Sequence, residues 1–515
     1  MTGDRRRLLV LDRGEGRDAG DNGYQAKTRA AVTILDGRTL AVQGRVELGW
    51  GLEPMTMLSA DGERLSVVGR GFQARAPADS LPREVVTVDV GSAKVLSRIE
   101  LPRRATAFLA TPDGRTAVVL SAREEASKNT VLPAELRFLD VAAGTVVATV
   151  PLDGDPGSPV LAPDGQSLYL LDRGRPNNNP DKNVNGQLHV VSMATRAAQG
   201  VVDVGSNPRG LVLDDRTKQL FVLSDGPPVK GPANRDRPGE LRVIRGAAPS
   251  PPVSVGTSPV WLRASTDGTT LYVMGTNSFA KVTLPDLTPT PPLTFKTWGE
   301  ELRVSPDGSR LYMLNGEYFK TFDLVTGQRL ADVRTGRMGT KMLLALESGL
   351  KTETARLEAE NEARREGRSY HAYADYTLEP PRGTLAIRPD GKAVYASNSQ
   401  TSDVTVIDGR SGEILQKVPA GGFTVLFMPG ASVALVPSAS AVQTVDLATH
   451  QKGADVATAA TGNFDRAELS PDGRVAVISG TGGVMIVDAT RGRPGGAFKP
   501  FGLVADVAMD WGTSR

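Results

Sequence analysis

The chain of 515 residues contains no cysteine. Disulfides, thiolate nucleophiles, iron–sulfur clusters and cysteine-based zinc sites are therefore excluded. Histidine is scarce as well: His189, His371 and His450 lie far apart in sequence. A three-histidine zinc site would need all of them, so no metal is expected. No cofactor is expected either. Stretches such as GEGRDAG do not follow a strand and open a helix, as a phosphate-cradling loop requires. No Gly-x-Ser-x-Gly elbow is present. An excess of one charge is missing: Lys+Arg 60 against Asp+Glu 58 leaves a formal net charge of +2. Nucleic acid is thus not an expected partner, because no basic field is available to hold it. No apolar run approaches the ~18 residues of a membrane-spanning helix. The opening MTGDRRRLLVLDRG has a basic head without the apolar core of a signal peptide.

Glycine (56) and proline (35) are plentiful, which suits many short strands joined by turns. One such turn recurs. SPDGSRLYMLNG at 305–316 has near-copies in TPDGRTAVVLS, APDGQSLYLLD, STDGTTLYVMG, RPDGKAVYASN and SPDGRVAVISG. The marker aspartates are Asp61, Asp113, Asp164, Asp215 (in a degenerate copy), Asp267, Asp307, Asp390 and Asp472, with a further degenerate turn at Gly430. They fall about 50 residues apart at first and about 40 later, which signals a repeat architecture. Each unit reads as four short strands and no helix. After Arg388 come AVYASN, then DVTVIDG with alternating Val404 and Val406, then EILQKVPAG, then FTVLFMPG and the next turn.

Two of these units, VGTSPVWLRASTDGTTLYVMGTN and VGSNPRGLVLDDRTKQLFVLSDG, resemble the YVTN-type repeat of bacterial propellers, which is WD40-like in strand order. The resemblance implies an all-β fold, a β-propeller of four-stranded antiparallel blades, and a bacterial periplasmic or cell-surface setting. It covers nearly the whole chain apart from about 336–379. By analogy the strand before each Asp-Gly turn is the inner strand a, and b, c and d follow outward. The chain starts with b–c–d (RRLLVLDRG, AVTILDG, VQGRVELG) and finishes with an a strand in VADVAMDWG. That pattern predicts ten blades in one ring, residues 1–515 forming a single propeller closed by strands from both ends; two smaller rings, or one or two units that form no blade, are the alternatives.

Antiparallel strands put the a–b and c–d turns on one face and the b–c loops and d–a links on the other. The Asp-Gly turns then mark a plain face. The b–c loops are long in the first five units and short in the last five. The largest insertion, a d–a link at 338–380, carries Leu343, Leu346, Leu350 and Leu357 at helical spacing, so a helix is expected there. Tyr370, His371, Tyr373 and Tyr376 follow as an insertion contact. Trp50, Trp261 and Trp298 sit at d–a links or the first turn of strand a, which would rim the channel mouth. Glu53, Arg103, Arg104, Asp155, Arg209, Glu300, Arg382, Asp465 and Arg466 share that register. Aromatics with a few convergent polar groups describe a pocket; the same tryptophans would equally fill gaps between blades.

The Asn-rich RPNNNPDKNVNG has one carboxylate, Asp181, too few for a calcium site. Sialidase-type Asp boxes and the tryptophan-docking repeat of quinone-dependent dehydrogenases are absent. The expected function is therefore a non-enzymatic scaffold binding a protein or polysaccharide through the b–c/d–a face. A lactonase-like hydrolase or lyase with a site at the channel mouth is the alternative.

Overall fold

Short apolar runs of about six residues, each closed by a turn, leave this chain little choice but antiparallel meanders. The computed structural model describes residues 7–508 except 13–15, 19–23, 27–28, 38, 40, 50–51, 70–82, 128–129, 178, 215–216, 229–237, 246–247, 258, 266, 276–277, 295–300, 316–317, 336–384, 399–402, 439–440, 457–463, 470–472, 481–482, 489–492 and 499–503. The described residues form antiparallel sheets, mostly four-stranded and one after another in sequence. They include no α-helix, only a single 3-10 turn at Pro180–Lys182. The helix expected at 338–380 lies outside the described residues.

The first sheet is built from both ends of the chain. Val504–Ala508 pairs with Arg7–Asp12, which pairs with Ala31–Asp36 and then Val42–Glu47. The second sheet runs Leu52–Leu58, Arg64–Gly69, Glu84–Asp89, Lys94–Glu100. The third runs Ala107–Ala110, Thr116–Ser121, Ala134–Asp140, Thr145–Leu152. The fourth starts with Pro156–Leu161, Ser167–Asp172 and Gly186–Ser192. Its last strand continues as the first strand of the fifth sheet within Ala198–Asp214, which pairs onward with Gln219–Asp225 and Pro238–Arg245. Later sheets begin at Pro259–Ala264, Glu301–Val304, Leu385–Ile387, Leu426–Phe427 and Phe464–Leu469.

Each b and c strand is apolar on both sides, and the two sides serve different cores. In the second sheet Leu65, Val67, Val86 and Val88 pack against Leu9, Leu11, Val32 and Ile34 of the first. Val68 and Val85, on the opposite side, pack against Ala117, Val119 and Leu139 of the third. The same rule joins third to fourth, fourth to fifth, fifth to sixth and sixth to seventh. It also joins seventh to eighth, eighth to ninth and ninth to tenth. Tyr312 and Phe319 of the seventh sheet meet Leu385, Val394 and Ile407 of the eighth, so those two sheets pack directly although 49 residues, 336–384, separate their described parts. Inner strands lie beside one another: second with third, third with fourth, fifth with sixth, seventh with eighth, and Val504–Ala508 with the second. Successive four-stranded sheets packed face to face with adjacent inner strands are the architecture of a β-propeller.

The outer edges are blunted. The c–d ladder shifts register by one residue at the same place in seven sheets, as at Phe138/Leu139, Thr321/Phe322 and Val406/Ile407. A bulge there twists the exposed edge away from pairing with another strand.

Candidate functional site

The a–b and c–d turns occupy one face and are built alike. In the turn at 305–310, Ser305 Oγ donates to Asp307 Oδ1 at 2.5 Å and accepts from the Arg310 amide at 2.9 Å. Asp307 Oδ1 also accepts from the Ser309 amide, and Gly308 takes φ 69°, where a side chain would be strained. The bond from Ser305, then that from Ser309, hold the Asp307 carboxyl below the usual aspartate value. Asp61 and Asp113 are lowered in the same way by Ser59 and Thr111, and Asp267 falls to about 2 through Ser265 and Thr269. In the degenerate copy, on the fifth sheet, the cap comes from Asp214, which accepts from the Thr217 amide at 2.8 Å.

A second set of caps closes the c–d turns, and the sequence reading did not single it out. Asp36, Asp89, Asp140, Asp323, Asp408 and Asp446 each end a c strand and accept from the amide three residues on. These six aspartates are thus engaged by their own backbone.

The opposite face carries connections with structure of their own. In the first sheet the b–c connection forms the hairpin Gly16–Asp18 with Tyr24–Ala26. In the third it forms Glu124–Ser127 with Thr130–Leu132. Arg103, on the d–a link, fastens that second hairpin. Its guanidinium donates to the carbonyls of Ala122 and of Pro133 (2.8 Å), at either end of the connection. It also lies 3.6 Å from Glu124 and 3.3 Å from Glu135, and Glu135 is 2.7 Å from Arg137.

A second polar network spans the fourth and fifth sheets. Asp172, buried at the end of strand b, accepts from the amides of Asp155 (2.8 Å) and Gly174 (2.7 Å), tying the d–a link to the b–c loop. Next to it, Arg173 donates to Asn207 Oδ1 at 2.9 Å, and Asn207 Nδ2 donates to Asp225 Oδ2 at 2.8 Å. Arg209 grips Asp225 with two bonds of 3.0 Å. Such a paired, planar grip is the strong form of an arginine–carboxylate contact. Asn207 holds φ 48° while nearly buried, a conformation kept by its two side-chain bonds.

The Asn-rich loop folds onto the same network. Asn177 and Asn179 accept from amides two residues on, Asn183 Oδ1 accepts from the Asn177 amide and Ser206 Oγ, and Asn185 Nδ2 reaches Asp203 at 3.0 Å. These oxygens brace the loop. Among the described residues no group of three or more His, Cys, Asp or Glu side chains is placed to hold a metal ion.

Of the residues expected at the channel mouth, Arg103, Arg104, Asp155 and Arg209 are described with their side chains. Arg104 and Asp155 are exposed, whereas Arg103 and Arg209 are partly buried in the two networks above. Glu53, Trp261, Asp465 and Arg466 lie on first strands of the second, sixth and tenth sheets, as expected from their register, with only their backbone described. Trp50, Trp298, Glu300, Arg382, Tyr370, His371, Tyr373 and Tyr376 lie outside the described residues. The reading missed Asp172, Asp225, Asn207 and Glu135. One signal was present: strand b ends in Asp at Asp12, Asp172 and Asp225, and the string LDRG occurs at both 11–14 and 171–174.

No family model matches the chain, and no curated protein matches it. Solved structures do resemble it. The dihydro-heme d1 dehydrogenase NirN is 15% identical over 73% of this chain and 72% of its own, with a TM-score of 0.37. A eukaryotic initiation factor is 12% identical over 97% of this chain and 98% of its own, with a TM-score of 0.49. The C-terminal WD40 domain of Sif2 is 13% identical over 62% of this chain and 79% of its own, with a TM-score of 0.37. At these values the likeness is remote and bears on no activity or partner. Among the described residues no helix is long and apolar enough to cross a membrane.

Proposed function

We propose that this chain is a non-enzymatic propeller scaffold that binds a protein or polysaccharide through the face carrying the b–c loops, the d–a links and residues 338–380. In this reading the sheets are ten blades of one ring of the YVTN-type repeat class, with the insertion between the seventh and eighth blades. The shared cores from first to tenth sheet and the pairing of Val504–Ala508 with Arg7–Asp12 support a single ring. A bacterial periplasmic or cell-surface setting belongs to the same proposal and rests on the repeat resemblance alone.

The observation that carries the binding reading is the contrast between the two faces. One bears short Asp-capped turns whose polar groups bond to themselves. The other bears long connections that hold their own hairpins and bridges on a rigid sheet scaffold. Braced loops on a rigid frame are where recognition surfaces form, since little ordering is left to be done on binding. Trp50, Trp261 and Trp298, with Glu300 and Arg382, are proposed as the channel-mouth contacts, and Tyr370, His371, Tyr373 and Tyr376 as the insertion contact.

The test combines a glycan array with affinity capture and mass-spectrometric identification, using the full chain and a variant lacking 341–376. Ligands bound by the full chain and weakened at least tenfold by the deletion are the expected result. Unchanged binding, with the variant melting as the full chain does, would remove the insertion from the site. Turnover of a lactone or glycoside abolished by Arg209→Lys, in a protein of unchanged stability, would favour the enzyme reading instead.

A further inference from the structure

Neighbouring sheets are bolted by tyrosines from strand b. Tyr312 Oη donates to the Gly409 carbonyl at 2.6 Å, linking the seventh sheet to the c–d turn of the eighth. At the next seam the bolt differs: Tyr395 Oη meets Nδ1 of His450 at 2.9 Å, on the c–d turn of the ninth sheet. The tautomer follows from the phenol. Burial pushes Tyr395 up to about 12, so the phenol keeps its proton, and Nδ1 of His450 is the one acceptor within reach of that hydroxyl among the described residues. Nδ1 is then the acceptor, and the imidazole proton sits on Nε2. The backbone that carries the ring is fixed by the turn: His450 sits at φ 57° and its amide donates to the Asp446 carbonyl at 2.9 Å.

We propose that the seam between the eighth and ninth sheets is an acid-sensitive joint, in which a second proton on His450 takes the nitrogen lone pair that Tyr395 uses. Protonation at Nδ1 leaves two options. The Tyr395 bond breaks, or it reverses and the phenol hydrogen turns into a core that includes Phe427, whose ring lies 5.0 Å from that of Tyr395. Either leaves a buried polar hydrogen without an acceptor. The charged groups around the imidazole come from both packed turns. Arg388, on the a–b turn of the eighth sheet, donates to the Leu447 carbonyl at 2.9 Å and pairs with Asp390 at 3.1 Å. Asp446, on the ninth sheet, is engaged by the amides of Ala448 and Thr449. Burial lowers the His450 imidazole below the usual histidine value, Arg388 adds to this, and Asp446 opposes it. A base lowered in the folded state is held neutral there, so its support is complete above about pH 6.5 and is lost as pH falls from there.

The test is hydrogen exchange by mass spectrometry on the full chain at pH 7.5 and 5.5, corrected for intrinsic rates. Peptides covering 393–398 and 442–446 should lose about five- to tenfold protection in acid, as for one hydrogen bond removed. Peptides at the Tyr312–Gly409 seam, whose bolt is a tyrosine on a backbone carbonyl with no histidine among the described residues there, should change less than twofold by the same measure. His450→Gln, which does not titrate, should keep equal protection at both pH values. Tyr395→Phe should be poorly protected at both. Equal wild-type protection at the two pH values, an equal loss at both seams, or an undiminished acid loss in His450→Gln would each overturn the proposal.

Discussion

Single side chains in this protein do narrow, local jobs, and their removal should read out locally. Ser305 satisfies its turn by bonding both the Asp307 carboxylate and the Arg310 amide, so Ser305→Ala should cost about 1 kcal/mol in urea unfolding. Asp225 is buried and its partner Arg209 partly so; Arg209→Ala leaves the carboxylate in place with one partner fewer and should destabilise by about 1.5–3 kcal/mol, whereas the double change Arg209→Met, Asp225→Leu should cost less. His189, on the third strand of the fourth sheet, is buried, and its Nε2 has no hydrogen-bond partner among the described residues. Burial lowers its value, against the opposing pull of Asp172 and Asp153. The unfolded chain therefore takes the proton more readily, and this residue's support is present above about pH 6.5 and declines below it. His189→Leu should flatten the fall in urea midpoint between pH 7 and 5.5. The turn aspartates behave oppositely in origin but act in the same direction. Asp61, Asp89, Asp113 and Asp307 are lowered by their hydrogen bonds, so their contribution holds above about pH 4 and is lost below it.

At the scale of elements, the bolts between sheets are the parts most open to test. Tyr312→Phe removes the bond to Gly409 while keeping the ring stacked on Phe319, so it should cost about 1–2 kcal/mol in urea unfolding and raise exchange at 408–412 before the seventh sheet loosens internally. LYVMG, LYMLN and VYASN looked like strand b with an aromatic at an ordinary core position. The hydroxyls of Tyr312 and Tyr395 bond across sequence gaps of 97 and 55 residues, which no local pattern encodes. Gly308 carries a trace of the same contact: a Cβ there would lie 2.5 Å from Tyr272 Oη of the preceding sheet. The strands themselves were legible because period-two alternation and the Asp-Gly turn act within ten residues. The c–d caps were legible too but went unused, since their aspartates sit in VDVGSAK, FDLVTGQ, IDGRSGE and VDLATHQ without a shared Pro-Asp-Gly. Site residues fared less well. Arg103 and Arg209 share a register with the tryptophans, but register places a residue along a strand and does not say what its side chain grips. Arg103 grips the carbonyls at the ends of its own hairpin and Arg209 grips Asp225.

For the whole molecule, the account rests on a division of labour between faces. Aspartates close the turns on one face, and folded connections build the rim on the other. Sheets packed through cores on both sides give that rim a frame that a bound partner need not order. Among the described residues the Asn-rich loop and the hairpin held by Arg103 are well braced, so under the proposed scaffold function they should keep their shape when a partner docks. The most direct measurement uses one ligand identified on the full chain and compares two variants by calorimetry. In the first, 122–133 and 175–184 are each replaced by a short glycine-asparagine link. In the second, Asp113 and Asp307 on the opposite face become asparagine. The account predicts at least a tenfold weaker Kd for the first variant and an unchanged Kd for the second. Weakening confined to the second would place the partner on the Asp-capped face and contradict it.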